Sequence, residues 1–424
     1  MSTATLPPAV PTSSVESAPE PAAAPGYKPL REDAKVIGLV GLAHASSHFS
    51  HLLLAPLFPV FVKEFGLSFA QLGLLGTVFF AISGTGQALS GFLVDRVGAR
   101  PVLFASIVCF FLAALTGSMA DGYTGLMAVA VLAGLGNAPF HPVDFSILNQ
   151  RVSPARLGYA YSVHGLCGNL GWALTPVFLM VFAQSNWRVG YVGAMALYVV
   201  VLVVLWLNRQ RLHTEVVTHA PGTAGVASDS GGLGFLKLPV VWWCFSFFLL
   251  STMTLAVVQN FASPILQAVH HVSFEAATST ITAYMICGAF GMLVGGFVAA
   301  RMPLHSDRVV ALCMTAGAAL MALAATGWLG SVGTMAVLAI TGFAVGVGGP
   351  SRDMMIKRAT PKGATGRVYG TVYSGLDTGF ALAPLLFGAL MDKGWFAATL
   401  MAGAATLLLS VFAALGVGRR IPQS

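Results

Sequence analysis

Residues 71–119 read QLGLLGTVFFAISGTGQALSGFLVDRVGARPVLFASIVCFFLAALTGSM, two long apolar runs joined by a short charged stretch from Asp95 to Arg100. About 20 apolar residues carry a helix across ~30 Å of hydrocarbon, and each run meets that length. A helical hairpin inside a membrane is the reading that follows, because a lipid-exposed backbone must satisfy its polar groups within its own segment. Working outward from this hairpin, the same arithmetic predicts twelve spans. Six fall near 36–62, 68–94, 101–119, 123–149, 158–183 and 188–207. Six more fall near 239–268, 274–300, 308–328, 333–358, 366–390 and 395–418. The expected fold class is an all-α integral membrane protein with twelve transmembrane helices in two pseudo-symmetric six-helix bundles.

Composition agrees. Of 424 residues 56% are hydrophobic and 9% charged, where a soluble domain carries about a quarter as charged side chains. A net charge of +7 would suit nucleic acid if the basic residues shared one solvated face, but they are spread over loops. With both termini placed in the cytoplasm, 18 of the 22 Lys and Arg fall on cytoplasmic segments, the bias that sets topology. Lys63, Arg188 and Lys393 fall outside and Arg352 lies within span 10. The expected location is therefore the inner (plasma) membrane, with no nucleic-acid partner. Five cysteines, Cys109, Cys167, Cys244, Cys287 and Cys313, lie in apolar stretches without a C-x-x-C pair, so neither disulfides nor a zinc site are expected. Residues 1–35 read as a disordered cytoplasmic tail rich in proline, 36–207 as the first bundle, 208–238 as a flexible cytoplasmic linker, 239–418 as the second bundle and 419–424 as a second tail.

The halves repeat. An offset of 208 residues aligns Pro56 with Pro264, Gly134 with Gly342, Pro142 with Pro350, Gly158 with Gly366 and Tyr161 with Tyr369. It also aligns Asn169, Gly171, Ala173, Leu174 and Pro176 with Asp377, Gly379, Ala381, Leu382 and Pro384. Parallel six-span repeats with Gly and Pro interruptions are one way transporters build a central site that opens to alternate sides. The plainer reading is a structural duplication without transport.

Between spans 2 and 3 stand Gly91, Asp95, Arg96, Gly98 and Arg100 in the pattern G-x-x-x-D-R-x-G-x-R. This resembles the signature of the major facilitator superfamily. Gly91 permits close helix approach, and Asp95 beside Arg96 and Arg100 is expected to hold one conformational state through charge pairs. The matching stretch after span 8, from Gly295 and Gly296 to Arg301, keeps Gly and Arg but lacks the acid. A narrower similarity, to the fosmidomycin-resistance group, rests on Leu42-Ala43-His44, on 65–73, on Gly136 to Pro142 and on Gly168 to Gly171. That group typically shows Phe-His-Pro-Glu in span 4; here Val143 holds the Glu position and Asp144 follows. The resemblance implies a monomer.

Ionisable groups at bilayer depth are costly and usually face a cavity or a partner. His44, His48 and His51 are spaced by four and three, which places them with Ser47 on one face of span 1. Histidines four apart can share a metal, but no carboxylate motif accompanies them; cavity lining is the stronger reading, packing the plainer one, and no metal or other cofactor is expected. Asp377 lies about eleven residues into span 11, near the midplane. Low dielectric penalises a charged carboxylate, which suits reversible protonation, so Asp377 is the candidate coupling site; a fixed hydrogen-bonding role is the alternative. Asp144 and Arg352 occupy equivalent repeat positions with opposite charge and are the candidate gate, although Arg352 has the option of pairing nearby or snorkelling. His48, His51, Asn137, His141, His164, Asn169, Gln259 and Asn260 are candidate substrate contacts, each with interhelical hydrogen bonding as the plain alternative.

No nucleotide-binding G-x-x-x-x-G-K-[ST] exists, so energy has to come from a solute or ion gradient. The chain carries neither G-x-S-x-G nor H-E-x-x-H, and no enzyme is expected. The expected function is secondary active transport by alternating access, as proton-coupled uptake or exchange of a small organic metabolite. The alternative is proton-antiport efflux of drugs or antibiotics of the fosmidomycin-resistance type.

Overall fold

Pro29 supplies an extended lead-in (φ −55°, ψ 141°), and the first helix begins at the next residue. The computed structural model describes residues 28–67, 69–182, 186–216, 233–361 and 364–420, and the elements in them are all helical. The first half runs α1 (Leu30–His51), α2 (Phe58–Phe65), α3 (Phe69–Val97), α4 (Ala99–Met119), α5 (Tyr123–Asn137), α6 (Phe140–Arg151), α7 (Leu157–Phe182) and α8 (Trp187–Leu207). The second runs α9 (Pro239–His270), α10 (Phe274–Arg301), α11 (Ser306–Ala325), α12 (Gly330–Ala359), α13 (Thr365–Asp392) and α14 (Phe396–Gly418). Eleven stretches among the described residues are long and apolar enough to cross a bilayer. The 26-residue α7, about 39 Å long at 1.5 Å per residue, completes the twelve.

Two boundaries differ from expectation. The helix start at Leu30 draws residues 30–35 out of the expected tail, because Asp33 is buried and tied down: Ser153 N donates to its Oδ1 at 3.2 Å and Arg156 Nη1 lies 2.7 Å from its Oδ2. Residues 208–216 and 233–238 of the expected linker are likewise packed. Thr214 Oγ1 accepts from Ala99 N at 2.8 Å, and Leu212 and Phe235 are buried. The remaining linker residues 217–232, and residues 1–27 and 421–424, lie outside the described residues.

Among the described residues two spans are broken, both in the first half. Span 1 leaves helix after His51, passes through a 3-10 turn at Ala55–Leu57 that contains Pro56, and resumes as α2. Span 4 breaks between Asn137 and Phe140, where Pro139 and Pro142 each remove a backbone donor. Ser90 Oγ donates to the Ala138 carbonyl at 3.3 Å, answering an acceptor that the break leaves free. The repeat mates Pro264 and Pro350 sit inside continuous helices.

Helix packing repeats with the sequence. In the first half α1 packs on α7, α3 and α4 on α5, and α8 on α4; in the second, α9 packs on α13, α10 and α11 on α12, and α14 on α11. Across the halves α3 packs on α13 and α7 on α10, a pair of contacts that exchange under the repeat. The mates Tyr161 and Tyr369 meet through Asn149, which accepts from the Tyr161 hydroxyl and donates to that of Tyr369.

At the end that carries Asp95 the halves touch through backbone. A methyl on Gly91 would lie 2.3 Å from the Gly366 carbonyl oxygen, and one on Gly158 would lie 2.7 Å from Ala300 N. Neither position has room for a side chain, so the halves are closed against each other here. Gly91→Val is expected to part α3 from α13 at this end. Spin labels at the exposed positions Val97 and Leu304 should report a longer mean separation in the variant; an unchanged separation would show that this contact does not hold the end closed.

Candidate functional site

The first element of the site is the latch at the closed end. Thr365 starts α13 without a side-chain cap of its own, which leaves its first amides unanswered. Asp95, from α3, answers them in trans: Gly366 N donates to Oδ1 at 2.8 Å and Arg367 N to Oδ2 at 3.2 Å, with Arg367 Nε 3.1 Å away. A carboxylate at a helix N-terminus also gains from the helix dipole. The expected pairing of Asp95 with Arg96 and Arg100 is thus replaced by a contact across the halves, because the free amides of α13 are better placed; Arg96 is exposed. Gly98 takes φ +84°, a left-handed conformation that lets α4 start at once.

Near mid-membrane a chain of hydrogen bonds runs through the first half to Asp377. Trp172 Nε1 donates to His51 Nδ1 at 3.2 Å, which makes Nε2 the protonated nitrogen of a neutral ring. That nitrogen meets Asn137 Oδ1 at 2.8 Å, an acceptor shared with Ser47 Oγ at 2.5 Å. Asn137 Nδ2 donates to Ser83 Oγ at 2.7 Å, and Ser83 donates to Asp377 Oδ2 at 3.4 Å. From the other side His141 Nδ1 meets Gln87 Oε1 at 2.5 Å and Gln87 Nε2 donates to Asp377 Oδ2 at 3.0 Å. Every donor in both branches points toward the carboxylate. Asp377 is 3% exposed and sits against Gly84 of α3, where a Cβ would come within 2.9 Å of its own Cβ.

A second cluster lies beside the first. His44 Nδ1 and His164 Nε2 stand 2.9 Å and 3.1 Å from Asp144 Oδ2, with the two rings stacked at 3.6 Å between centroids. His48 packs on His44 and Trp172. The expected gate pair is not formed: Asp144 is held by these histidines, and Arg352 pairs with its neighbour Asp353 through Nε–Oδ1 at 2.9 Å and Nη2–Oδ2 at 3.1 Å. A carboxylate on the same turn answers Arg352 without any movement of the halves. Tyr373 OH also donates to Asp353, at 2.6 Å. The rings of His141, Tyr373 and Phe248 follow one another at 4.2 Å, and the Arg352 guanidinium lies 4.8 Å over Phe248.

Beyond this pillar opens a cavity of about 130 Å³ whose walls include Asn169, Trp172, Phe248, Ser251, Tyr284 and Arg352. Of the residues expected from sequence, Asn169 and Arg352 line it, and His51 and His48 stand behind Trp172. Asn137, His141 and His164 belong to the two clusters. Gln259 is half-buried and Asn260 exposed, and neither lines the cavity. Sequence reasoning missed Ser83, Gln87, Trp172, Asp353 and Tyr373. Asp353 and Gln87 carried a usable signal, as polar groups inside apolar spans; Trp172 and Tyr373 carried none beyond their aromatic character.

Asn137→Ala would strip an acceptor from Ser47 and His51 and a donor from Ser83, all in a buried setting. The expected loss is about 1–3 kcal/mol, read as a lower unfolding temperature in detergent. Asn169→Ala, whose amide meets only the Met292 sulfur at 3.7 Å among the described residues, should shift it far less; equal shifts would mean that the chain of bonds carries no special stability.

Known proteins share this architecture. The model of the Major Facilitator Superfamily matches residues 40–305 and 256–424. The hexuronate transporter of Bacillus subtilis is 25% identical over 404 residues, covering 91% of this chain and 93% of that protein. The fosmidomycin resistance protein of Escherichia coli is 26% identical over 182 residues, 41% of this chain and 44% of its own. The crystal structure of the human organic anion transporter MFSD10 superposes with a TM-score of 0.75 at 17% identity, over 92% of this chain and all of that one, a likeness of fold. With a latch, a mid-membrane polar cluster and a cavity between repeated halves, this multi-pass membrane protein belongs to the Major Facilitator Superfamily and is a transporter of small solutes rather than an enzyme.

Proposed function

We propose that the chain is a proton-coupled transporter that takes up or exchanges a small organic anion by alternating access. The observation that carries this reading is Arg352 on the cavity wall. Its side chain is 26% exposed, and two of its five N–H donors are spent on Asp353. The free edge of the guanidinium offers a carboxylate a charge-assisted anchor, with Asn169 and Ser251 for hydroxyls and Trp172, Phe248 and Tyr284 as apolar walls. A relative named for hexuronate, a sugar acid, agrees with that chemistry. Asp377 is the coupling group in this reading: it is a carboxylate held by neutral donors from the opposite half, so gaining a proton changes the contact between halves as well as its charge.

The collection of basic residues at the Asp95 end supports a reading in which that end and both termini face the cytoplasm of the inner or plasma membrane. The protein acts as a monomer in this reading, with residues near 36–207 and 239–418 as its two moving bodies. Antibiotic efflux of the fosmidomycin type is the second reading, favoured by the likeness of the first half to the resistance protein.

Proteoliposomes test the proposal. An inward proton gradient should drive accumulation of a sugar acid or similar carboxylate. Arg352→Lys should lower transport efficiency at least about tenfold, because an ammonium cannot reproduce the planar fork. Asp377→Asn should abolish gradient-driven accumulation while solute exchange continues. Accumulation by Asp377→Asn at the parent level would remove proton coupling from this residue. Transport of lipophilic drugs or phosphonates with no carboxylate uptake would favour efflux.

A further inference from the structure

We propose that His44, Asp144 and His164 form a binding site for a divalent transition-metal ion of the zinc and cobalt type, distinct from the solute cavity. The sequence argued against a metal because the histidines of α1 had no carboxylate companion. The fold supplies one from α6 and a further histidine from α7. Their three ligand atoms lie within 4.8 Å of one another, and all three residues are buried.

Three observations favour a metal over a plain hydrogen-bonded triad. The first is convergence: both imidazole nitrogens crowd one carboxylate oxygen, Asp144 Oδ2, at 2.9 Å and 3.1 Å, while Oδ1 takes neither; ligands ~2.0–2.2 Å from an ion stand only a little further apart, at about 3.3–3.6 Å. The second is direction. His44 Nδ1 comes this close to the carboxylate yet makes no hydrogen bond, so its lone-pair axis is aimed beside the oxygen rather than at it. The third is what is left unanswered: Asp144 Oδ1 and His48 Nδ1 are buried without hydrogen-bond partners, and the nearby cation Arg352 is already paired with Asp353. Buried polar atoms are seldom left unpaired, and a cation at the triad would balance the Asp144 charge and engage the idle His44 Nδ1 lone pair.

The donor set, two imidazoles and one carboxylate, suits zinc, cobalt or nickel and not calcium or magnesium, which prefer all-oxygen sites. Three protein ligands leave a fourth position for water or an anionic group. His48 and His141 share His44 in a second such group.

The test uses the full chain, purified without a histidine tag, stripped with chelator and titrated with Co²⁺ in the absence of solute; it is thus independent of the transport reading. One equivalent should bind with visible d–d absorption, and binding should weaken as pH falls, because imidazole ligates only when deprotonated. Asp144→Asn and His164→Gln should each lose the spectrum, while His164→Cys should keep binding and add a thiolate charge-transfer band. His271→Asn, at an exposed helix end, should bind as the parent does. Unfolding temperatures identify any variant that fails to fold, and the thiolate band decides the matter even then. Absence of saturable Co²⁺ binding, or binding that survives both Asp144→Asn and His164→Gln, would overturn the site.

Discussion

A carboxylate buried or half-buried in a membrane protein has to be answered by something, and beyond the Asp33–Arg156 pair the structure gives four different answers. Asp95 is met by the free amides and the guanidinium at the start of α13. Asp353 is met by its neighbour Arg352 and by a tyrosine hydroxyl. Asp144 faces two imidazoles, and Asp377 faces neutral amide and hydroxyl donors. Charged partners favour the ionised form of a carboxylate more strongly than neutral donors do. The four acids differ in the kind of partner that meets them.

The repeat is faithful in packing and unfaithful in chemistry. Corresponding helices touch corresponding helices, yet the proline breaks, the clustered histidines and the hydrogen-bonded chain up to its end at Asp377 lie in the first half. Most of the cavity wall comes from the second. Breaking spans 1 and 4 frees backbone at mid-membrane, which is tolerated where protein or a cavity covers it. The second half keeps its mates Pro264 and Pro350 in unbroken helices and so offers a smoother apolar pocket.

The spans, the repeat and the latch motif were legible because each is written in local composition or fixed spacing. Asp377 was legible for a similar reason, as a lone acid in an apolar run. Its partners were not, since Ser83 and Gln87 lie about 290 residues away in the chain and nothing local marks them as neighbours. The Asp144 and Arg352 pairing failed on a point of proximity: repeat symmetry placed them as equivalents, but Asp353 stands next to Arg352 in sequence and forms the bidentate pair first. Direction in side-chain networks is a tertiary property, as the choice of His51 tautomer by Trp172 shows.

Trp172 has two sides. One face of its indole is cavity wall and its N–H holds His51 Nδ1. A solute that shifts the indole by an ångström or so lengthens that bond and frees Nδ1 to take a proton or a water instead. The imidazole then no longer has a preferred tautomer, and its Nε2 contact with the Asn137 amide oxygen, an acceptor only, is the bond that comes to depend on what fills the cavity. The state of the cavity and the hydrogen bonding of His51 thus share one aromatic ring that touches both.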